Sequence, residues 1–142
     1  MVPVRIKIHS MTKDSGDGPM TFVAYGSLAE KNGTTFVRYE ESAVTGMEGT
    51  KTTLKWTADT LTVIRHGKYE HRQYYERGRN TSFNYVTPYL SIPMVVFTRL
   101  LTAEKGKGRW LLALEYDVSM DQQPNGRISL KIEIEEEEVS GH

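Results

Sequence analysis

Apolar and polar residues alternate with a period of two along most of the chain. The clearest segment spans residues 110–121, where every second position is apolar: Trp110, Leu112, Leu114, Tyr116, Val118 and Met120. Residues 127–135 repeat the pattern with Ile128, Leu130, Ile132 and Ile134. Successive side chains of a strand point to opposite faces, whereas a helix of period 3.6 would scatter these residues around its axis. The pattern therefore predicts half-buried β-strands.

Further strand-length segments precede these two, at residues 1–10, 20–28, 35–41, 52–56, 61–65, 69–75, 81–87 and 92–100. In the last of them we expect Ile92, Met94, Val96 and Leu100 to share one face. The links are short and rich in Gly, Pro, Asn and Asp, as in turns between antiparallel neighbours. Parallel strands would need helical crossovers, and no window has a helical repeat of that length. Ala58-Asp59 indicates only a turn, and Pro88 and Pro93 predict a corner, bulge or edge within residues 87–93.

About nine or ten strands with links of similar length favour an up-and-down antiparallel barrel over a two-sheet sandwich. We therefore expect an all-β fold, a single barrel of about 8–10 strands whose interior is either filled or holds one small ligand. The 142 residues set one domain, 1–142, as the expectation. Glu135 to Glu138 begin an acidic segment, about residues 135–142, that we expect to be a solvated tail, to fray and to protect the edge of the last strand.

The composition is that of an ordinary globular protein, and it narrows the function classes. Eighteen Lys and Arg balance eighteen Asp and Glu, so the net charge gives no general attraction to nucleic acid or membrane. The absence of cysteine excludes disulfides, thiol nucleophiles and thiolate metal sites. Residues 1–10 alternate like a strand rather than a secretory signal, and the longest apolar stretch, residues 92–97, is far shorter than the ~20 residues that cross a bilayer. We therefore expect a cytoplasmic protein without a membrane partner.

A set of strand and turn residues resembles the YwiB-like family of bacterial proteins, which has no assigned function. These residues are Arg65-His66-Gly67, Gly78, the stretch Tyr85-Val86-Thr87-Pro88-Tyr89, Thr98, and Glu115-Tyr116-Asp117. The resemblance covers nearly the whole chain and implies a calycin-like, lipocalin-resembling barrel in a cytosolic protein. The sequence departs from the family pattern at Leu90, where a glycine is typical.

Several polar residues are predicted to face the barrel interior. If Leu61 and Val63 face inward, so does Arg65, and a guanidinium inside a barrel must be paired or hydrated. Arg65 is the candidate anion anchor of a site for a small amphipathic or anionic molecule. The other candidates are His71, Gln73 and Tyr85 as polar orienting groups and Trp56, Tyr75 and Tyr116 as apolar walls. Tyr69 shares the inward face of its strand. The alternative is that Arg65 bonds a Glu or carbonyls at the barrel mouth and that the tyrosines are core residues.

Other functions have weaker support in the sequence. No nucleophile, phosphate-loop or metalloprotease motif is present, so we expect no enzyme, no metal and no cofactor. His71 as a haem ligand has no second ligand at a useful spacing. The basic stretch at residues 65–79 contains Arg72, Arg77 and the outward Tyr74, which suggests a filled barrel acting on protein or RNA through its outer face. The division of the tyrosines between the two faces disfavours nucleic acid, and a possible homodimer stays open.

Overall fold

In a computed structural model, ten β-strands account for most of the chain. The structure describes residues 1–13, 18–42, 45, 47–67, 70–86, 89–120 and 123–137, without the side chains of residues 124 and 125. The strands are β1 Val2–Lys13, β2 Met20–Lys31, β3 Thr34–Glu40, β4 Thr50–Trp56, β5 Thr60–Gly67, β6 His71–Glu76, β7 Asn80–Val86, β8 Ser91–Gly106, β9 Arg109–Met120 and β10 Gln123–Glu136. The predicted strands are confirmed, although Tyr69 and the corner at residues 87 and 88 lie outside the described residues.

The strands form one antiparallel sheet in which neighbours in sequence are neighbours in space. The order is β6-β5-β4-β3-β2-β1-β10-β9-β8-β7, so β1 pairs with β10 and the sheet curls until β6 faces β7. No ladder joins β6 to β7 in the described residues, but the Thr81 hydroxyl donates to the Tyr74 carbonyl across the gap. The Gly78 amide also donates to the Thr98 carbonyl at 2.8 Å. The result is a nearly closed up-and-down barrel, as predicted.

The prediction that Leu100 faces inward with Ile92, Met94 and Val96 is wrong. The register between β8 and β9 shifts between Thr98 and Leu100, which marks a β-bulge at Arg99. An extra residue in one strand reverses the alternation beyond it. Leu100 is consequently 46% exposed, and Leu101 is fully buried in its place.

The predicted solvated tail at about residues 135–142 does not include Glu135 and Glu136. Glu135 and Glu136 belong to β10, which is paired on both sides, with β1 and with β9. Glu135 forms an ion pair with Arg5 at 3.1 Å, and the Glu136 amide donates to the Gly108 carbonyl at 2.8 Å. The strand therefore does not fray at these two residues and has no free edge to protect, because its backbone is hydrogen-bonded to a neighbouring strand on each side. Residues 138–142 lie outside the described part.

Two tight features fix the position of β2 and β3. Asn32 and Gly33 both have positive φ angles, 53° and 79°, and form the two-residue turn between these strands. That turn type matches the twist of a hairpin. Further along β2, a Cβ added to Gly26 would lie 2.0 Å from the Arg38 carbonyl oxygen, so the two backbones approach too closely for any side chain.

The barrel has one filled end and one hollow end. Large side chains close the end that contains the Asn32-Gly33 turn, namely Trp56, Leu61, Leu101, Leu112 and Ile134, all of them essentially inaccessible to solvent. A cavity occupies the other end, where β1 leads to β2, β3 to β4 and β9 to β10. Within the described ranges, the chain has no helix with the length and apolarity needed to cross a bilayer. The interior of the barrel is packed with side chains at one end and contains a cavity at the other.

Candidate functional site

The cavity at the hollow end has a volume of about 390 Å³. This is near the lower limit of the ~300–1,000 Å³ that small-molecule sites usually have. Its walls are mainly apolar side chains from many strands, among them Ile8, Phe22, Leu54, Phe83, Met94 and Val118. Polar side chains line it from β3, β5, β6, β7 and β9 and from the β3–β4 connection, and Ser10 of β1 and Thr21 of β2 also contribute. A mainly apolar cavity with a limited number of polar groups is suited to an amphipathic ligand.

Five of the seven residues predicted from the sequence line this cavity: Arg65, Gln73, Tyr75, Tyr85 and Tyr116. His71 is buried behind them and is held within the cluster by Arg65 and Gln73. Trp56 is not part of the lining. It lies in the filled end, where its ring packs edge-on against Trp110 with 5.5 Å between centroids. The structure therefore brings six of the candidates together and places Trp56 elsewhere.

A buried carboxylate that was not singled out in the sequence completes the cluster. Glu41 follows β3, and its side chain is only 1% exposed. The Thr52 hydroxyl donates to its Oε1 at 2.6 Å, and the Thr45 hydroxyl donates to its Oε2 at 2.9 Å. Arg65 Nε lies 3.9 Å from Oε1, so the two side chains form an ion pair without a close hydrogen bond. Val37 and Tyr39 are buried on the same face of β3, and the predicted strand at residues 35–41 already contains Glu41 as the next position on that face.

The hydrogen bonds define the protonation state of His71. Arg65 Nη1 lies 2.7 Å from His71 Nε2, and the guanidinium can only donate. Gln73 Nε2 approaches the same ring nitrogen at 3.1 Å, and the Tyr75 hydroxyl donates to Gln73 Oε1 at 3.1 Å. That last bond orients the amide so that its nitrogen faces the imidazole. His71 is therefore neutral, with its proton on Nδ1.

The electrostatics agree with this assignment. Burial, reinforced by the positive charge of Arg65, lowers the pKa of His71 to about 4. Burial also raises the pKa of Tyr75 well above its usual value, and the neighbouring Tyr116 adds to the effect. Burial and then the Glu41 carboxylate raise the pKa of Tyr39. All three groups are uncharged at neutral pH, so Arg65 and Glu41 carry the charges of the cluster.

Two buried donors in the cluster have no hydrogen-bond partner among the described residues. They are Arg65 Nε and His71 Nδ1. Buried polar atoms of native proteins are usually paired, so each unpaired one requires a reason. The acceptors of the cluster, by contrast, are used: His71 Nε2, Gln73 Oε1 and both Glu41 oxygens each receive a donor. The unpaired buried atoms of the cluster are therefore both donors.

Metal binding has little support at this site. No group of three or more His, Asp or Glu side chains is placed to hold a metal ion in the part of the chain that the structure describes. The imidazole lone pair of His71 that could bind haem iron already accepts bonds from Arg65 and Gln73. The interpretation of His71 as a haem ligand therefore conflicts with its bonding.

Two cations of the basic stretch on the outer face are paired with neighbouring carboxylates. Arg77 pairs with Asp59 at 2.5 Å, and Arg79 pairs with Glu76. Tyr74 faces outward as predicted, and its hydroxyl donates to Glu76 at 3.0 Å. Paired cations and a bonded tyrosine leave fewer groups to contact phosphates and bases.

The fold and the cavity together define the class: an all-β, ten-stranded antiparallel barrel of calycin-like architecture with one hollow end. The chain belongs to the family described as "Domain of unknown function (DUF1934)", whose model matches residues 4–132. Its fold is that of the ywiB protein from Bacillus subtilis, with a TM-score of 0.84 and 17% sequence identity over 96% of this chain and 93% of that one. The resemblance to the YwiB-like family is thereby confirmed. No curated protein matches the chain.

Proposed function

We propose that the protein binds one small amphipathic molecule inside the barrel. The apolar body of the ligand would lie against the cavity walls, and its polar head would face Arg65. The observation that carries this proposal is the cavity itself, in which mainly apolar walls meet one hydrogen-bonded polar cluster. Few polar groups within a mostly apolar concave site are what ligand pockets have in common. The size of the cavity favours a single small ligand.

We propose binding rather than catalysis. His71, the imidazole nearest the cavity, has no free lone pair to take a proton, because Arg65 and Gln73 both donate to it. A second imidazole, His9, contacts Thr21 at 3.0 Å and Glu133 at 2.9 Å on the outer face. Thr21, His9 and Glu133 thus have the order of a nucleophile, a base and a carboxylate. The backbone amides of the paired strands around them are bonded to neighbouring strands, so these amides are not free to stabilise an oxyanion.

The alternative, a protein or RNA module acting through the outer face, has less support because Arg77 and Arg79 are paired with carboxylates. It predicts that reversing the charges of Arg72 and Arg77 abolishes partner capture. A cytoplasmic location stays part of the proposal and rests on the absence of cysteine.

The test fills the cavity and measures the uptake of a neutral solvatochromic dye such as Nile red. Met94 lines the cavity, whereas its neighbour Val95 points outward and is 40% exposed. We expect Met94→Trp to weaken dye binding by at least about tenfold, which is ~1.4 kcal/mol, because the indole occupies the space. Val95→Trp is the matched control, with the same added ring on the opposite face.

Two measurements accompany the dye titration. Thermal unfolding confirms that both variants are folded, and native mass spectrometry of gently purified protein counts subunits and detects a retained small molecule. Equal dye affinity for wild type and Met94→Trp, with both folded, would contradict binding in this cavity.

A further inference from the structure

Arg65 is the only charged residue among the described residues that line the cavity. Its counter-ion, Glu41, lies just behind the wall and is almost completely buried. Thr52 and Thr45 hold the carboxylate from two directions, so its position is fixed. Because His71 is neutral, the positive charge of Arg65 is already balanced by Glu41, and the polar side of the cavity has no net charge.

This balance changes what a ligand gains from Arg65. A ligand carboxylate beside Arg65 would bring a second negative charge close to Glu41, whose side chain is only 1% exposed, and one guanidinium would have to serve both anions. Like charges at such short range repel strongly where the effective dielectric constant is low. A neutral head avoids this repulsion and leaves the Glu41–Arg65 pair intact.

The hydrogen-bonding groups point to the same chemistry. Arg65 lines the cavity with a side chain that is 17% exposed, and its guanidinium can only donate hydrogen bonds, while acceptors of the cluster already receive donors. An unpaired donor is satisfied by an acceptor, and a ligand that brings only donors leaves it unpaired. The complementary head is an uncharged hydrogen-bond acceptor.

We propose that Glu41 is the residue that determines the specificity of the cavity, and that it selects a ligand with a neutral carbonyl head, as in an ester, ketone or amide, over the carboxylate with the same apolar body. This inference rests on the proposed function and refines it. It also changes the role of Arg65 from an anion anchor, as interpreted from the sequence, to a donor within a neutral pair.

The experiment compares two ligands that differ only in the head group, methyl nonanoate and nonanoate, as competitors of Nile red at neutral pH. We expect wild type to bind the ester at least about tenfold more tightly than the carboxylate. Glu41→Gln keeps the size and the bonds from Thr52 and Thr45 but removes the charge, so nonanoate should bind at least about tenfold more tightly to this variant than to wild type. The affinity of the ester should change by less than about threefold.

Glu40→Gln is the matched control. Glu40 precedes Glu41 in the chain and is exposed on the outer face, and its substitution changes the total charge by the same amount. It should leave the ratio of the two affinities as in wild type. If Glu41→Gln does not fold, the ratio of the ester and carboxylate affinities of the wild type still tests the predicted preference for a neutral head.

The outcomes separate this inference from the function on which it rests. Equal or tighter binding of nonanoate by wild type, or an unchanged ratio in a folded Glu41→Gln, overturns the role of Glu41 while both ligands still compete within the cavity. If neither ligand displaces the dye and Met94→Trp leaves dye binding unchanged, the cavity is not the binding site and both proposals fail.

Discussion

His71 should make the stability of the barrel depend on pH in the mildly acidic range. Its side chain is 8% exposed and accepts a bond from Arg65, so protonation would place two positive charges in contact. The pKa of His71 is lowered from 6.5 to about 4 in the folded protein. The unfolded chain keeps the ordinary value.

The sign and size of this pH dependence follow from the difference in proton binding between the folded and unfolded states. Above pH 6.5 the imidazole is neutral in both states and contributes nothing. As the pH falls below 6.5, the unfolded chain takes up a proton that the folded protein refuses, so stability decreases until the pH approaches 4. One pKa unit corresponds to about 1.4 kcal/mol, so the folded protein loses about 3 kcal/mol between pH 7 and pH 4 through this residue alone.

The assay is urea unfolding between pH 7 and pH 4 for wild type and His71→Gln. The glutamine oxygen can still accept from Arg65 but does not titrate, so the wild type should lose about 3 kcal/mol more than the variant over this range. His66→Gln is the control, because it removes an imidazole whose side chain is 80% exposed rather than buried. Parallel curves for wild type and His71→Gln would refute the assignment of a neutral, buried imidazole.

Two further changes test the charge pair and the packing. Arg65→Met leaves the Glu41 carboxylate buried without a cation and should lower the free energy of unfolding, measured with urea, by about 3 kcal/mol. Adding Glu41→Gln should restore at least about half of this loss, and no recovery in the double variant would mean that the two charges are not coupled. Gly26→Ala should destabilise by at least about 2 kcal/mol because its Cβ meets the Arg38 carbonyl, whereas Ser27→Ala should be nearly neutral, and equal unfolding midpoints would contradict the close approach.

The alternation of residue types was sufficient to predict the strands and their order, because each half-buried strand must alternate and each short link joins antiparallel neighbours. It failed at β8, where the bulge at Arg99 inverts the pattern and exchanges the roles of Leu100 and Leu101. Arg99 lies within a run of apolar residues, and nothing in its residue type marks a bulge.

The candidate site was predicted in part for a related reason. Alternation assigns a side chain to the inside or outside of a barrel but not to a height along its axis. Trp56 is inside, yet it fills the closed end, far along the axis from Arg65 on the adjacent strand. Glu41 was missed although the predicted strand at residues 35–41 included it, because only the apolar residues of that alternation, Val37 and Tyr39, were assigned to the inner face.

The separation of a filled end from a hollow end divides the chain into positions with different freedom to vary. Residues such as Trp56, Leu61 and Leu112 supply the buried apolar surface on which folding depends. Wall residues such as Phe83 and Met94 are only partly buried and contribute less to that surface. Substitutions at such partly buried wall positions can therefore change the shape and chemistry of the cavity at less cost to the fold than substitutions at Ile8, Leu54 or Val118, which line the cavity but are buried in the core.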